Sequence, residues 1–303
     1  MSNKFINWII FLLLCFIWGS SFILMKIGKE SLNAPQIAAL RIFSASLVFI
    51  PFAIFYFSKV PRKKLGFILL TGIFGNLIPA FLFAAAIMKL DSSLIGILNS
   101  LTPICVVGLG VLFFRDSIKK NQWLGVLIGF GGLCLLTFTQ DKISLDHLGY
   151  SSLIFLATIS YGFNVNLVSH YLKEVNPVHA ASVSLAFLSL PAGLILWYQG
   201  FFQLDFTDTT LQWSVIASVL LGIVGSAIAT LLFYILVQRA GGLFASLVTY
   251  GIPFVALFWG LIDGEHTSLL QIGSLLIILL GVYLANRKGK KESGPPDPLS
   301  EKV

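Results

Sequence analysis

The chain has 303 residues, of which 57% are hydrophobic and only 11% are charged. Soluble globular domains carry about 25% charged residues, so this composition excludes a soluble domain and predicts a protein embedded in lipid. The formal net charge of +7 is divided among short clusters between apolar runs. Such placement is typical of membrane-topology signals and excludes a long basic arm for nucleic acid. We therefore expect the lipid bilayer as a partner and no nucleic acid.

Ten apolar runs follow one another along the chain, each near the roughly 20 residues that a membrane-spanning helix needs. They lie at about 7–27, 36–57, 66–88, 92–114, 121–139, 149–171, 179–199, 212–235, 243–262 and 269–286. The first run has no small-residue cleavage site, so we interpret it as a span and not as a signal peptide. Residues 287–303 are rich in proline and charge, and they are predicted to form a disordered cytoplasmic tail.

The lysines and arginines divide unevenly between the two sides of the predicted membrane. With the N-terminus inside, fifteen of them lie in cytoplasmic segments, and the outer segments hold Lys26, Lys29, Lys89 and Lys142. Cytoplasmic segments of membrane proteins are enriched in Lys and Arg. We therefore expect both termini to be cytoplasmic, in a multi-pass protein of the cell inner (cytoplasmic) membrane.

A pattern of small and polar residues occurs twice, and each copy lies on one face of a helix. It consists of Ser92, Gly96, Asn99 and Pro103 in the first copy and of Gly242, Ser246, Thr249 and Pro253 in the second. The offset is 150 residues, and Gly72–Gly75 matches Gly222–Gly225 at the same offset.

This internal match predicts that the first five spans repeat as the last five, in units 7–139 and 149–286. Because five is an odd number, the second unit must enter the membrane from the opposite side. The predicted fold is therefore all-α and integral to the membrane, with ten transmembrane helices in two inverted five-helix repeats. Secondary transporters use this architecture, with the substrate site near the midplane between the repeats. An inert duplicated bundle is the alternative.

Polar residues near the middle of several spans are the candidates for a site. A polar group that faces lipid tails loses hydrogen bonds at a cost of several kcal/mol, so these residues should face protein or a cavity. The candidate substrate-binding residues are Trp18, Ser21, Asn76, Asn99, Tyr161, Asn164, Tyr234, Thr249 and Tyr250. Small residues at four-residue spacing also allow close helix packing, so packing is the alternative for any single Gly or Ser.

Three prolines within spans, Pro79, Pro103 and Pro253, are candidate hinges. A proline in a helix removes one hydrogen bond and bends the helix. The carbonyls one turn before Pro103 and Pro253 are those of Asn99 and Thr249. We expect them to be free to accept hydrogen bonds from a substrate.

Arg41 lies within the second span, about five residues from its outer end. It either anchors a substrate carboxylate, binds backbone carbonyls or extends to the lipid headgroups. No Asp or Glu lies deep in a span, and His170 and His179 are the only candidates for a titrating pair. The sequence therefore gives weak support to proton coupling, and gradient-driven movement fits at least as well.

The sequence contains no hydrolase, metalloprotease or P-loop motif. Its three cysteines, Cys15, Cys105 and Cys134, lie inside apolar runs and have no metal-binding spacing. We therefore expect no catalytic residues, no metal and no cofactor. The expected partner is a small-molecule metabolite, and a monomer is compatible with the sequence. A membrane-embedded enzyme is the less favoured alternative.

Several of these motifs resemble those of a known family. Trp18-Gly19-Ser20-Ser21-Phe22 followed by Lys26 resembles the first-span signature of the EamA family in the drug/metabolite transporter superfamily. Further similar segments are Ala39-Leu40-Arg41, Leu101-Thr102-Pro103, the stretch from Ala245 to Pro253, and Glu265 with Gln271 and Gly281. The resemblance covers about residues 7–288. Asp116, where Glu is expected, and Ile252, where an acidic residue is often found, depart from the pattern.

The resemblance implies ten helices in inverted halves and a cavity built mainly by spans 1, 3, 4, 6, 8 and 9. It also implies export of small metabolites such as amino acids. The scarcity of buried Arg and Lys favours a neutral or zwitterionic substrate. A carrier of nucleotide sugars, nucleosides or lipid-linked sugars of the same superfamily is the alternative.

Overall fold

The computed structural model describes residues 3–90, 92–138, 148–262 and 269–286. Within these ranges the chain forms α-helices and no β-strand. The helices in chain order are α1 (Asn3–Gly28), α2 (Ala34–Tyr56), α3 (Arg62–Gly72), α4 (Ile78–Ile87), α5 (Ser92–Asn99), α6 (Thr102–Phe114), α7 (Lys120–Phe138), α8 (Leu148–Tyr171), α9 (Pro177–Phe187), α10 (Ser189–Tyr198), α11 (Thr209–Gly222), α12 (Ala229–Ala240), α13 (Gly242–Ser246), α14 (Val248–Ile262) and α15 (Leu269–Asn286). The predicted tail 287–303 and Glu265 lie outside the described residues. The predicted all-α class is confirmed.

Six continuous helical segments among the described residues are long and apolar enough to cross a membrane. They are Lys4–Gly28, Ala34–Lys59, Arg62–Ile87, Gly149–Tyr171, Pro177–Tyr198 and Thr209–Ala240. Three shorter helical segments are also apolar, namely Thr102–Phe114, Gly242–Val255 and Ile272–Ala285. The predicted number of ten spans stays a prediction.

Two of the long helical segments contain a π-helical turn. One turn, Ile73–Leu77, joins α3 to α4, and the other, Ile223–Ile228, joins α11 to α12. A π turn widens the helix locally and is frequent at functional sites. Both turns fall in the stretches that match each other at the 150-residue offset, so the sequence likeness extends to an uncommon backbone conformation.

Helices from the two ends of the chain pack against each other. The α1 helix packs against α14, α6 packs against α8, and α2 packs against α9 and α10. The α4 helix contacts α8, and α1 contacts α11. The α7 and α15 helices form a close pair, in which a Cβ at Gly125 would overlap the backbone of Ala285 and one at Gly281 would overlap the backbone of Gly129. Small residues of this kind let membrane helices approach closely.

Polar caps fix where several helices begin. Asn33 caps α2 in a capping box, because its side chain accepts from the N–H of Gln36 at 2.9 Å and its own N–H donates to the Gln36 side chain at 3.0 Å. The Gln36 amide also donates to the carbonyl of Gln199, which ties the start of α2 to the end of α10.

In the loop before α11, the hydroxyl and N–H of Thr207 donate to Asp205 and lower the pKa of that carboxyl.

Candidate functional site

A cavity of about 80 Å³ lies among α1, α2, α4, α5, α6, α8 and α12–α14. A single water needs about 10–15 Å³, so the cavity has room for several water molecules. Eight of the nine predicted substrate-binding residues line it, and Arg41 does so as well. The eight are Trp18, Ser21, Asn76, Asn99, Tyr161, Asn164, Tyr234 and Thr249. The cavity thus brings together side chains that are far apart in the sequence.

Arg41 reaches the cavity from α2. Its Nε donates to the hydroxyl of Ser226 at 2.7 Å, and Ser226 lies in the second π turn. The two helices can approach because residue 222 is glycine, where a Cβ would overlap the carbonyl oxygen of Arg41. An Arg that binds the middle of a neighbouring helix does not extend toward the headgroups. The structure therefore places Arg41 on the cavity wall.

Asn76 lies in the first π turn and is 6% exposed. Its Oδ1 accepts a hydrogen bond from the Thr230 hydroxyl at 3.0 Å. Its Nδ2 is buried and has no hydrogen-bond partner. A buried donor without a partner is costly, about 1–3 kcal/mol. Since Asn76 lines the cavity, a ligand with an acceptor atom would satisfy it.

Asn164 and Tyr234 form a second polar pair on the wall. The Tyr234 hydroxyl lies 3.5 Å from Asn164 Oδ1 and donates to it. The Asn164 amide lies directly against Gly75, where a Cβ would come within 2.6 Å of its Nδ2. Glycine in the π turn therefore makes the space that the amide occupies.

Trp18 connects α1 to the second π turn. Its indole Nε1 donates to the carbonyl of Gly225 at 3.1 Å. A corresponding contact is found at the first π turn, where the Ser160 hydroxyl of α8 donates to the carbonyl of Phe74 at 2.8 Å. Each π turn thus exposes a carbonyl that a side chain of another helix binds.

The carbonyls of Asn99 and Thr249, expected to be free for a substrate, already have hydroxyl partners. The Thr102 hydroxyl donates to the Asn99 carbonyl at 2.6 Å, and the Ser100 hydroxyl donates to the Thr249 carbonyl at 3.4 Å. Ser and Thr often satisfy backbone groups that proline leaves unpaired in membrane helices. Each carbonyl thus already accepts one hydrogen bond, and a role for either in substrate binding stays a prediction.

Tyr250 is the predicted substrate-binding residue that does not line the cavity. It is fully buried, with 0% exposure. Its hydroxyl donates to the carbonyl of Val126 in α7 at 2.8 Å, and its ring lies against Gly129. The side chain points toward α7. Tyr250 therefore belongs to the contact between α14 and α7.

The three candidate hinge prolines have different positions in their helices, and none lines the cavity. Pro79 is in the first turn of α4, directly after the first π turn, and Pro103 is in the first turn of α6. Pro253 lies inside α14, which continues through it. The helix breaks come before the prolines, between α5 and α6 and at Leu247 between α13 and α14. The hinge role of all three stays a prediction.

His170 and His179 do not pair with each other. His170 bonds the carboxylate of Asp116 through Nε2 at 2.9 Å, and its Nδ1 lies 2.9 Å from the carbonyl of Asn166. His179 stacks on the ring of Tyr56 at a centroid distance of 4.3 Å. The His170–Asp116 contact instead ties the end of α8 to the segment after α6.

Aromatic and polar residues that sequence reasoning missed complete the cavity wall. Phe22, Met25, Phe83 and Phe233 are apolar members of the lining, and Thr230 is a polar one. Apolar residues occur both on the cavity wall and on the lipid-facing surface, so the sequence does not distinguish the apolar members of the lining. Thr230 lies one helical turn after Ser226, and this spacing was the available signal for it.

Comparison with known proteins decides the family. A sequence profile of the EamA-like transporter family matches residues 6–138 and again residues 149–287. The chain belongs to the EamA-like transporter family. It is therefore an integral membrane protein that crosses the bilayer several times, as the composition and the apolar helices indicate.

Individual relatives of this EamA-like chain match it over nearly its whole length. An uncharacterized transporter of Archaeoglobus fulgidus is 24% identical over 283 residues, covering 93% of this chain and 99% of the relative. A probable amino-acid metabolite efflux pump of Escherichia coli is 25% identical over 301 residues, covering 94% and 95%. A protein of known crystal structure is similar in fold, with a TM-score of 0.65 at 15% identity, over 91% of this chain and 95% of that one.

Proposed function

We propose that this EamA-like transporter exports small metabolites, amino acids or related neutral or zwitterionic compounds, through the cavity described above. One observation carries the proposal: a cavity with several polar side chains on its wall is lined by residues from both stretches that the family profile matches. The similarity to a probable amino-acid metabolite efflux pump favours amino acids and their relatives. Arg41 would bind a substrate carboxylate, and the other polar lining residues would orient the molecule.

For the architecture, we propose ten transmembrane helices in two inverted repeats, 7–139 and 149–286. Three observations support it. The family profile matches twice, in residues 6–138 and 149–287. The two π turns lie at the same 150-residue offset as the matching sequences. The packing of α1 on α14 has a counterpart in the packing of α8 on α6, as two-fold related halves require.

The mechanism that fits this architecture is alternating access, in which the halves rock around a central site. The two contacts between a side chain and a π turn, Trp18 with Gly225 and Ser160 with Phe74, connect helices that would move relative to each other. Pro79, Pro103 and Pro253 would provide the bending points. In this proposal both termini face the cytoplasm, the chain lies in the cell inner membrane, and it completes the cycle as a monomer.

An efflux assay tests the proposal. Cells that overproduce the chain should tolerate toxic amino-acid analogues better than cells with an empty vector, because export lowers the internal concentration. The panel includes nucleoside analogues, which would reveal the alternative substrate class. Trp18→Phe and Asn99→Ala should reduce tolerance, since both side chains line the cavity.

Matched controls separate a cavity defect from a general effect of substitution. Trp213→Phe changes an exposed tryptophan of α11, and Asn121→Ala changes an exposed asparagine at the start of α7. Both controls should keep the tolerance of the wild type at equal protein levels in the membrane. Unchanged efflux across the whole panel, or normal transport by both cavity variants, would contradict the proposal.

A further inference from the structure

The charges around the cavity are unbalanced. Arg41 contributes a guanidinium to the wall, and no Asp or Glu is among the described residues that line it. Among the described residues, no carboxylate is paired with Arg41. In the sequence, all acidic residues lie between the predicted spans or at their ends. Within the described part of the chain, the cavity therefore carries a positive charge without a nearby counter-charge.

A hydrogen-bond donor on the same wall has no partner. The Nδ2 of Asn76 is buried without a partner, while its Oδ1 is already bound by Thr230. Several acceptors around the cavity are occupied as well: the Ser226 hydroxyl accepts from Arg41, and the carbonyl of Gly225 accepts from Trp18. A guanidinium and a free amide N–H both donate hydrogen bonds. A carboxylate supplies two acceptor oxygens and the negative charge that a guanidinium pairs with.

This wall binds an ammonium group unfavourably. Burying a charge is costly unless it is paired, and an ammonium would enter a cavity that already holds a cation. Aromatic faces attract cations, but such contacts are weak beside an uncompensated like charge. Arg41 would thus strengthen the binding of an amino acid through its carboxylate and weaken it through its ammonium. For a carboxylate without an ammonium, Arg41 would only strengthen binding.

The remaining surface favours an apolar body. Aromatic rings line the cavity from four helices: Trp18 and Phe22 from α1, Phe83 from α4, Tyr161 from α8, and Phe233 with Tyr234 from α12. The rings of Trp18 and Phe233 lie 5.3 Å apart between centroids. Rings so placed contact a flat or aliphatic group by offset or edge packing.

We propose that the cavity selects organic anions: a carboxylate on an aromatic or aliphatic body that carries no ammonium group. The inference rests on the proposed export function but changes its substrate class, from neutral or zwitterionic relatives of amino acids to carboxylates with one net negative charge. Acids related to amino acids by loss or acylation of the amino group belong to this class. The zwitterionic amino acids themselves would bind more weakly.

A charge series on one molecular body tests the inference. The probes are 3-phenylpropionate, phenylalanine and 2-phenylethylamine, which at neutral pH carry one negative charge, no net charge and one positive charge. Binding to the full-length chain in lipid nanodiscs is measured by calorimetry. We expect 3-phenylpropionate to bind about tenfold or more tightly than phenylalanine, and the amine to bind least. Equal or tighter binding of phenylalanine by the wild type would overturn the inference.

Variants assign the preference to Arg41. Arg41→Gln should abolish the difference between 3-phenylpropionate and phenylalanine, and Arg41→Lys should keep the order of the three probes. The matched control Arg239→Gln removes an arginine near the end of α12, outside the cavity lining, and should leave the order intact. Asn99→Asp adds a carboxylate to the wall and should shift the preference toward phenylalanine. Since the wild-type series needs no variant, the inference can fail even if Arg41→Gln does not fold.

The outcomes separate this inference from the export proposal. If cells export amino-acid analogues while the purified chain prefers phenylalanine, the export function stands and the charge selectivity is wrong. If none of the three probes binds, the charge selectivity is wrong as well, and the export function is judged by its own efflux assay. If 3-phenylpropionate binds best but no variant of Arg41 changes the order, the assignment to this cavity is overturned.

Discussion

At the scale of single residues, a buried amide and an exposed ion pair both tie α6 to α8. Asn166 is 2% exposed, and its Nδ2 donates to the carbonyl of Val106 in α6 at 3.0 Å and to that of Gly162 at 2.9 Å. One turn further, His170 bonds Asp116 with side-chain exposures of 29% and 39%. Exposed ion pairs contribute little because solvent screens them, whereas a buried carbonyl left without its donor is destabilising.

We predict that Asn166→Leu lowers stability more than Asp116→Asn does. Hydrogen bonds between membrane helices average about 0.6 kcal/mol and reach about 1.7 kcal/mol, so a loss of about 1 kcal/mol is expected for Asn166→Leu. Asp116→Asn keeps a hydrogen-bonding group of the same shape and should change stability by less than about 0.5 kcal/mol. Thermal unfolding of both variants in the same detergent measures the difference. A larger loss for Asp116→Asn would show that the ion pair is the main tie.

The sequence predicted the polar residues of the site better than their orientation. Asn76, Asn99 and Asn164 were predicted to face the cavity because an amide cannot face lipid, and the structure places all three on its wall. Tyr250 was predicted by the same logic, yet its hydroxyl finds a carbonyl of α7. A buried hydroxyl needs only one partner, and the sequence does not say whether a neighbouring helix or a cavity supplies it.

At the scale of helices, glycine decides how closely α7 and α15 approach. A Cβ at Gly125 would overlap the backbone nitrogen of Ala285, whereas a Cβ at Gly131, on the exposed side of the same helix, would meet no atom within 4 Å. Ala is favoured over Gly inside a helix by about 1 kcal/mol. A change from Gly to Ala is therefore expected to affect stability in opposite directions at residues 125 and 131.

We predict that Gly125→Ala destabilises the protein and that Gly131→Ala leaves it unchanged or slightly more stable. The added methyl at residue 125 must push α7 away from α15, which opens gaps along the contact, and overpacking of this kind costs about 1–3 kcal/mol. Thermal unfolding of the two variants provides the measurement. Equal melting temperatures would mean that α7 and α15 do not form this contact in the membrane.

Helix positions followed from the sequence, but the irregular turns within them did not. Each apolar run contains a described helix because the run length and the exclusion of polar groups are properties of composition. The π turns have no such signal in the composition, and they lie where α2 and α8 pack against the long helices. The α14 helix continues through Pro253, and the Ser100 hydroxyl binds the carbonyl of Thr249 that the proline leaves unpaired.

At the scale of the whole molecule, the two π turns place the polar wall of the cavity at matching depths of the two proposed halves. Asn76 and Ser226 occupy the same position at the 150-residue offset, one with a free donor and the other bound to Arg41. The two π turns thus have the same backbone conformation but carry side chains with different hydrogen-bonding groups at equivalent positions. Symmetry would serve the exchange between inward and outward access, while asymmetry of the side chains would give the ligand one preferred orientation.

The inverted arrangement predicts where reporter proteins fused to the chain will be found. With the N-terminus inside and five spans in the first half, a fusion after residue 145 lies on the outer side of the membrane, and a fusion after residue 303 lies in the cytoplasm. Alkaline phosphatase should therefore be active at the first position and inactive at the second, because it folds only on the outer side. Green fluorescent protein should give the opposite result, since the excess of Lys and Arg keeps the C-terminus inside. If both positions report the same side, the second half crosses the membrane an even number of times, and two inverted repeats of five spans are ruled out.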